Sequence, residues 1–199
     1  MDNLKTGDLI LFNNQGGGLF GFFTSLIKWG THSNYTHIGM ILKDPHFIDN
    51  TLNGTFVWES TYDGEKDPQD GKIKLGVKLT PIDDALNTNR NIYIRKIICP
   101  DNTFNDDKLT EIHNIVYNKP YDIVPTDWIE ALFRVDSKPQ KTSRFWCSAL
   151  VGYIYTKCGV LNENTDWSIL RPSDFSLDGE NLLFSDDNFN LENIESRIK

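Results

Sequence analysis

The chain has 199 residues, with 28 Asp plus Glu against 20 Lys plus Arg and a formal net charge of -8 at pH 7. That length supports one well-packed core and gives a single domain over 1–199, while the acidic balance excludes nucleic acid or an anionic membrane as a partner drawn in by the whole surface. Residues 1–6 are polar, no apolar run reaches the roughly 18 residues of a spanning helix, and three cysteines, Cys99, Cys147 and Cys158, leave one over after any pairing, so the chain reads as soluble and cytoplasmic with free thiols.

Residues 7–12 form a short apolar run closed by Asn13-Asn14-Gln15 and three glycines, which predicts a buried strand and a loop. Residues 19–29 place apolar side chains at helical spacing up to Gly30, predicting a short amphipathic helix. Residues 36–42 and 55–60 are β-rich and apolar on both faces, with Asp44-Pro45 and Asn53-Gly54 supplying the turn, so two neighbouring antiparallel strands are expected. Residues 72–79 alternate as a half-exposed strand does, and a short helix over 82–86 precedes a further strand over 91–97.

From Asn105 the period changes. Leu109, Ile112, His113 and Val116 recur at three and four residues, as do Trp128, Ile129, Leu132 and Phe133, and then Cys147, Leu150, Val151, Ile154, Tyr155 and Cys158. The class is therefore α+β, mostly sheet in the first half and mostly helix in the second. The tail from Leu161 has weak periodicity and reads as wrapping the surface, with 175–199 its outer part.

Cys147 opens a predicted helix, where unpaired N–H groups and the positive end of the dipole favour a thiolate over a thiol. Lys138, Lys141 and Arg144 on its approach push the same way. Taken alone, the cysteine also fits a core position, since it shares a helical face with Leu150, Val151, Ile154 and Cys158. His37 alters the balance because it sits inside an apolar strand, sharing a face with Gly39 and Ile41, where an imidazole needs a partner. Glu59 is in the same position one strand on, and a carboxylate there is costly unless paired. Two such residues on adjacent strands satisfy each other most cheaply, and with Cys147 they supply nucleophile, base and orienting acid. A purely structural His–Glu pair is the alternative.

His32, His46 and His113 lie in polar surroundings and read as solvated, and Cys99 and Cys158 read as structural. Zinc is not expected without a Cys-x-x-Cys or His-Glu-x-x-His spacing, and no cofactor is expected either. The glycine run 16–18 lacks the Gly-Lys-Ser/Thr ending of a phosphate loop. For the apolar 19–29 segment, membrane contact is the lesser reading and a core helix beside the cleft the main one.

Gly7-Asp8-Leu9-Ile10-Leu11-Phe12, Ile27-Lys28-Trp29 with Thr31-His32-Ser33-Asn34-Tyr35-Thr36-His37-Ile38-Gly39, Trp58-Glu59-Ser60, Lys119-Pro120-Tyr121-Asp122 and Trp146-Cys147-Ser148-Ala149-Leu150-Val151 occur in that order. The set resembles the circularly permuted branch of the NlpC/P60 papain-like superfamily, close to YiiX-like and related poxviral proteins, in which the His strand precedes the Cys helix. The resemblance spans roughly residues 7–174.

It implies a papain-like core in which an antiparallel sheet bearing His37 and Glu59 packs on the Cys147 helix. It also implies a place for the Tyr121 hydroxyl near the thiol, where it helps hold an oxyanion. Arg171-Pro172-Ser173-Asp174 resembles a Pro-x-Asp element that closes such domains. The chain departs from the family at Thr36, where Ser is common, and at Ala149, where Glu is common. The function implied is a cysteine hydrolase cleaving an amide in a peptide-like substrate through an acyl-enzyme. A thiol acyltransferase or acyl-ester hydrolase, acting on an acyl-bearing lipid, and a non-catalytic binding module are the alternatives.

Overall fold

The apolar runs 37–43 and 55–61 become adjacent strands because each is buried on both faces and Asp44-Pro45 and Asn53-Gly54 turn the chain between them. The computed structural model describes residues 3–13, 35–88, 90–122, 142–177, 179 and 182–199. The glycine run 16–18, the expected helix over 19–29, His32, the expected helix around 128–133, Lys138 and Lys141 lie outside them.

Strands β1 (Leu9–Asn13), β2 (His37–Lys43), β3 (Thr55–Thr61), β4 (Gly76–Pro81) and β5 (Asn91–Arg95) are joined by β8 (Ser196–Arg197) in an antiparallel six-stranded sheet. The spatial order is β4-β3-β2-β1-β5-β8. A second, two-stranded sheet pairs β6 (Ile97–Ile98) with β7 (Asn190–Leu191). The helices are α1 (Ile82–Leu86), α2 (Asp106–Val116) and α3 (Cys147–Lys157). The class is α+β.

One face of the sheet, with Leu9, Leu11, Ile38, Met40, Phe56, Trp58 and Leu79, packs on α3 and on Leu109, Ile112 and Val116 of α2. The other face, with Ile10, Phe12, Ile41, Val57, Ile92 and Ile94, packs on Ala85, Ile82 and Leu86 of α1. Helix α2 begins where the Asn105 side chain accepts from the Lys108 N–H at 3.0 Å, an N-cap that fixes its first turn.

Three elements depart from the expected boundaries. The strand expected over 72–79 begins only at Gly76, because Lys74 is held at 2.7 Å by the buried Asp67 and at 2.8 Å by Asp70, drawing 66–75 into an excursion. The strand expected over 91–97 splits in two, since the Ile97 N–H donates to the buried Asp8 carboxylate at 3.1 Å instead of continuing the ladder. Helix α3 is buried all round from Cys147 to Tyr155, not along one face. Its outer side is covered by the 3-10 turn Trp167–Ile169 and by Leu170, which close on Gly152: a methyl group there would lie 2.7 Å from Leu170.

The tail thus does more than wrap. Phe175, Ser176 and Leu191 are buried, β8 extends the main sheet, and the Arg95 guanidinium donates to the carbonyls of Phe175, Ser176 and Glu192 at 2.9, 2.5 and 3.0 Å. Among the described residues no helix is long and apolar enough to cross a membrane.

Candidate active site

His37 is the first residue of β2 and pairs with Phe12 of β1, whose ring lies 5.2 Å from the imidazole, centroid to centroid. The β2–β3 register runs from Lys43↔Thr55 to Met40↔Trp58 and stops there. His37 and Glu59 both lie just beyond that point, on the same face, where the two strands part. Gly39 lies between them on that face, and a methyl group at this position would sit 2.4 Å from Val57 and 3.3 Å from the Glu59 Cβ. The absence of a side chain at Gly39 is what lets imidazole and carboxylate approach.

They approach closely. Glu59 Oε2 is 2.5 Å from His37 Nε2, and both side chains are almost wholly buried. The other carboxylate oxygen, Oε1, accepts from the Thr80 hydroxyl at 2.6 Å. With Nε2 engaged, Nδ1 is the ring nitrogen left for the hydrogen bond that joins His37 to the Cys147 thiol.

Cys147 arrives from the opposite side of the sheet. Its approach is knitted to the edge of β4: Val77 N–H donates to Lys119 O at 2.9 Å, Tyr121 N–H to Leu75 O at 3.1 Å, and Phe145 N–H to Pro120 O at 3.1 Å. Gly76 makes this possible, since a Cβ there would lie 2.2 Å from the Lys119 carbonyl oxygen. The buried Ser60 hydroxyl donates to Phe145 O at 2.6 Å and pins the chain two residues before the thiol. The thiol then sits at the N-terminus of α3, where the Ser148 N–H and the Ile38 N–H of β2 both point at the sulfur. Ile38 can offer its N–H because β2 and β3 have parted there.

The electrostatics follow from this enclosure. Burial by itself would push the Cys147 thiol up, but the hydrogen bond and charge of His37, with the Ile38 and Ser148 N–H groups, bring it below its usual value. Burial would likewise depress His37, yet the bonds to Cys147 and Glu59 and their negative charges raise it to about 9. The two shifts favour thiolate and imidazolium over thiol and neutral imidazole. Tyr121 is pushed well above the ordinary phenol range, by burial first and then by the charges of Cys147 and Asp122 and the hydrogen bond to Cys147, so it remains a neutral hydroxyl beside the sulfur.

The structure thus brings together Cys147, His37, Glu59 and Tyr121, all four singled out in the sequence. Arg144 faces Asp122 at 3.8 Å, and the groups that lower the thiol are His37 and two backbone N–H groups rather than that guanidinium. His113 differs from its expected solvated state: it is half-buried, burial lowers its pKa, and Nε2 lies 2.8 Å from Gln69 Oε1. His46 is exposed, and Cys158 is buried with its thiol pushed up to about 12 by that burial. The contacts made by Thr80, Ser60 and Gly39 were not assigned from sequence, because each depends on a strand register that a single chain does not display. Among the described residues no group of three or more His, Cys, Asp or Glu is arranged to hold a metal ion. No family model matches the chain, and no curated protein matches it.

Proposed function

We propose that this protein is a cysteine hydrolase on a circularly permuted papain-like fold, cleaving an amide bond in a peptide-like substrate. The observation that carries the reading is the convergence of Cys147, His37 and Glu59, with the carboxylate on His37 Nε2 and the thiol hydrogen-bonded to the same imidazole. The order of motifs, His strand before Cys helix, and the packing of the sheet on α3 support the permuted fold.

In this reading the Cys147 thiolate attacks the acyl carbon, a C–S bond forms, and the carbonyl electron pair moves to oxygen. The Tyr121 hydroxyl and the Cys147 N–H, which lies in the first helical turn and lacks an intrahelical acceptor, stabilise that oxyanion. The His37 imidazolium gives its proton to the leaving nitrogen as the C–N bond breaks. Water then attacks the thioester with His37 taking its proton, and collapse breaks the C–S bond, releasing the acid and restoring the thiolate–imidazolium pair.

The test is intact-mass analysis after incubation with acylated peptide amides and, in parallel, acyl esters. The expected result is an acyl adduct that maps to Cys147, is absent in Cys147→Ser, slows in His37→Ala and is unchanged in His46→Ala. A preference for the ester would assign the bond to lipid chemistry instead. Iodoacetamide modification of Cys147 no faster than that of Cys158 at pH 7 would overturn the enzymatic reading.

A further inference from the structure

The triad carboxylate is held by a fourth residue. Glu59 has Lys78 directly opposite it in the β3–β4 register, where an ion pair would be the obvious outcome. Lys78 turns away instead: its buried ammonium donates to Asp63 at 2.7 and 2.9 Å and to the Glu65 carbonyl at 3.0 Å. The Glu59 carboxylate meets His37 on Oε2 and the Thr80 hydroxyl on Oε1. Thr80 lies diagonally across the same face, paired with Val57, and is itself buried.

This arrangement has two physical consequences. First, Glu59 and Thr80 both line a cleft of about 190 Å³ on the α1 side of the sheet, bordered by Thr61, Asp63 and Asp84. Without the Thr80 bond, Oε1 would turn to solvent in that cleft and Oε2 would lose its alignment on Nε2. Second, a neutral donor leaves the carboxylate's full charge to act on His37, whereas the Lys78 ammonium at the same oxygen would cancel much of it.

We propose that Thr80 is a positioning residue for the reaction, fixing the Glu59 carboxylate so that its charge is directed onto His37. The inference rests on the hydrolase reading above and names the residue on which that reading's orienting acid depends. Thr80 touches neither thiol nor substrate and acts only through Glu59.

The experiment is the pH dependence of Cys147 alkylation by iodoacetamide, followed by peptide mapping, in the full chain and in Thr80→Val, Thr80→Ser and Glu59→Gln. Valine keeps the shape and removes the donor; serine keeps the donor. Because the thiolate is held by the imidazolium, a weaker Glu59 moves the acid limb of the profile to higher pH. Thr80→Val is expected to slow alkylation at pH 6 by about tenfold, the scale of one hydrogen bond to a charged group. It should match the unaltered chain at pH 10, where the thiol is ionised throughout, and Thr80→Ser should match it at both pH values. If Glu59→Gln moves the limb and Thr80→Val does not, the role of Thr80 is overturned while the triad stands. An equal loss for Thr80→Val at both pH values overturns it as well, since that marks collapse of the site. If neither variant moves the limb, the triad itself falls and this inference with it.

Discussion

Cys147 and Cys158 stand at opposite ends of one helix, and their thiols are driven in opposite directions. Burial raises Cys158 to about 12, whereas His37 and two N–H groups bring Cys147 down against the same burial. At pH 7 iodoacetamide should therefore modify Cys147 faster than Cys158 by more than about a hundredfold, read by peptide mapping. The sign for turnover follows from His37. Its raised pKa means that the imidazolium, the acid for the leaving group in the proposed reaction, is present below about 9 and lost above it. Turnover of an amide substrate should fall on the alkaline side near that value, and Glu59→Gln, which removes a charge holding the proton, should move that limb down toward 6.5. His37 and Glu59 were legible in the sequence because each sits where a polar group is costly, and Cys147 because it opens an apolar helix. Thr80 and Ser60 were not, because a hydroxyl in a strand carries little cost until its register is known.

At the level of elements, the site depends on two strands that stop pairing and on a chain segment pinned from outside. Ser60→Ala removes the donor to Phe145 O in a buried setting, which should lower stability by about 1–3 kcal/mol, measured by denaturant unfolding. It should also slow Cys147 alkylation, since that carbonyl lies two residues before the thiol. Gly39→Ala would press on Val57 and Glu59 and open the His37–Glu59 contact. The expected outcome is a rise in the Cys147 thiol pKa, seen as a shift of the alkylation limb to higher pH. The strands themselves were readable from their apolar runs and turn residues. The full burial of α3 was not, because its second covering comes from Trp167 and Leu170, residues in a stretch with no period of its own.

Across the molecule, Arg95 ties the last quarter of the chain to the sheet. Its guanidinium serves three carbonyls spread over residues 175–192, and the tail is further held where Glu195 accepts from the Leu177 N–H at 2.6 Å and from the Tyr35 hydroxyl. Arg95→Lys cannot reproduce that fork and should cost about 2–3 kcal/mol. The measurement is thermal unfolding together with limited proteolysis, with cleavage gained between 176 and 192. Composition and period anticipated the sheet of the first half, but the second is not mostly helix among the described residues: it holds Asp106–Val116 and Cys147–Lys157, and a two-residue strand such as β8 pairs only because β5 offers it an edge.

The parting of β2 and β3 lets a thiol from the α3 side of the sheet meet an imidazole that belongs by register to the other. Neither layer by itself produces the charge pair. Until α3 docks and both strands are in register, Cys147 is an ordinary thiol, largely protonated at neutral pH and slow toward electrophiles. The lowered thiol is thus a product of folding, and its labelling rate at mildly acidic pH is a clock for assembly of the sheet.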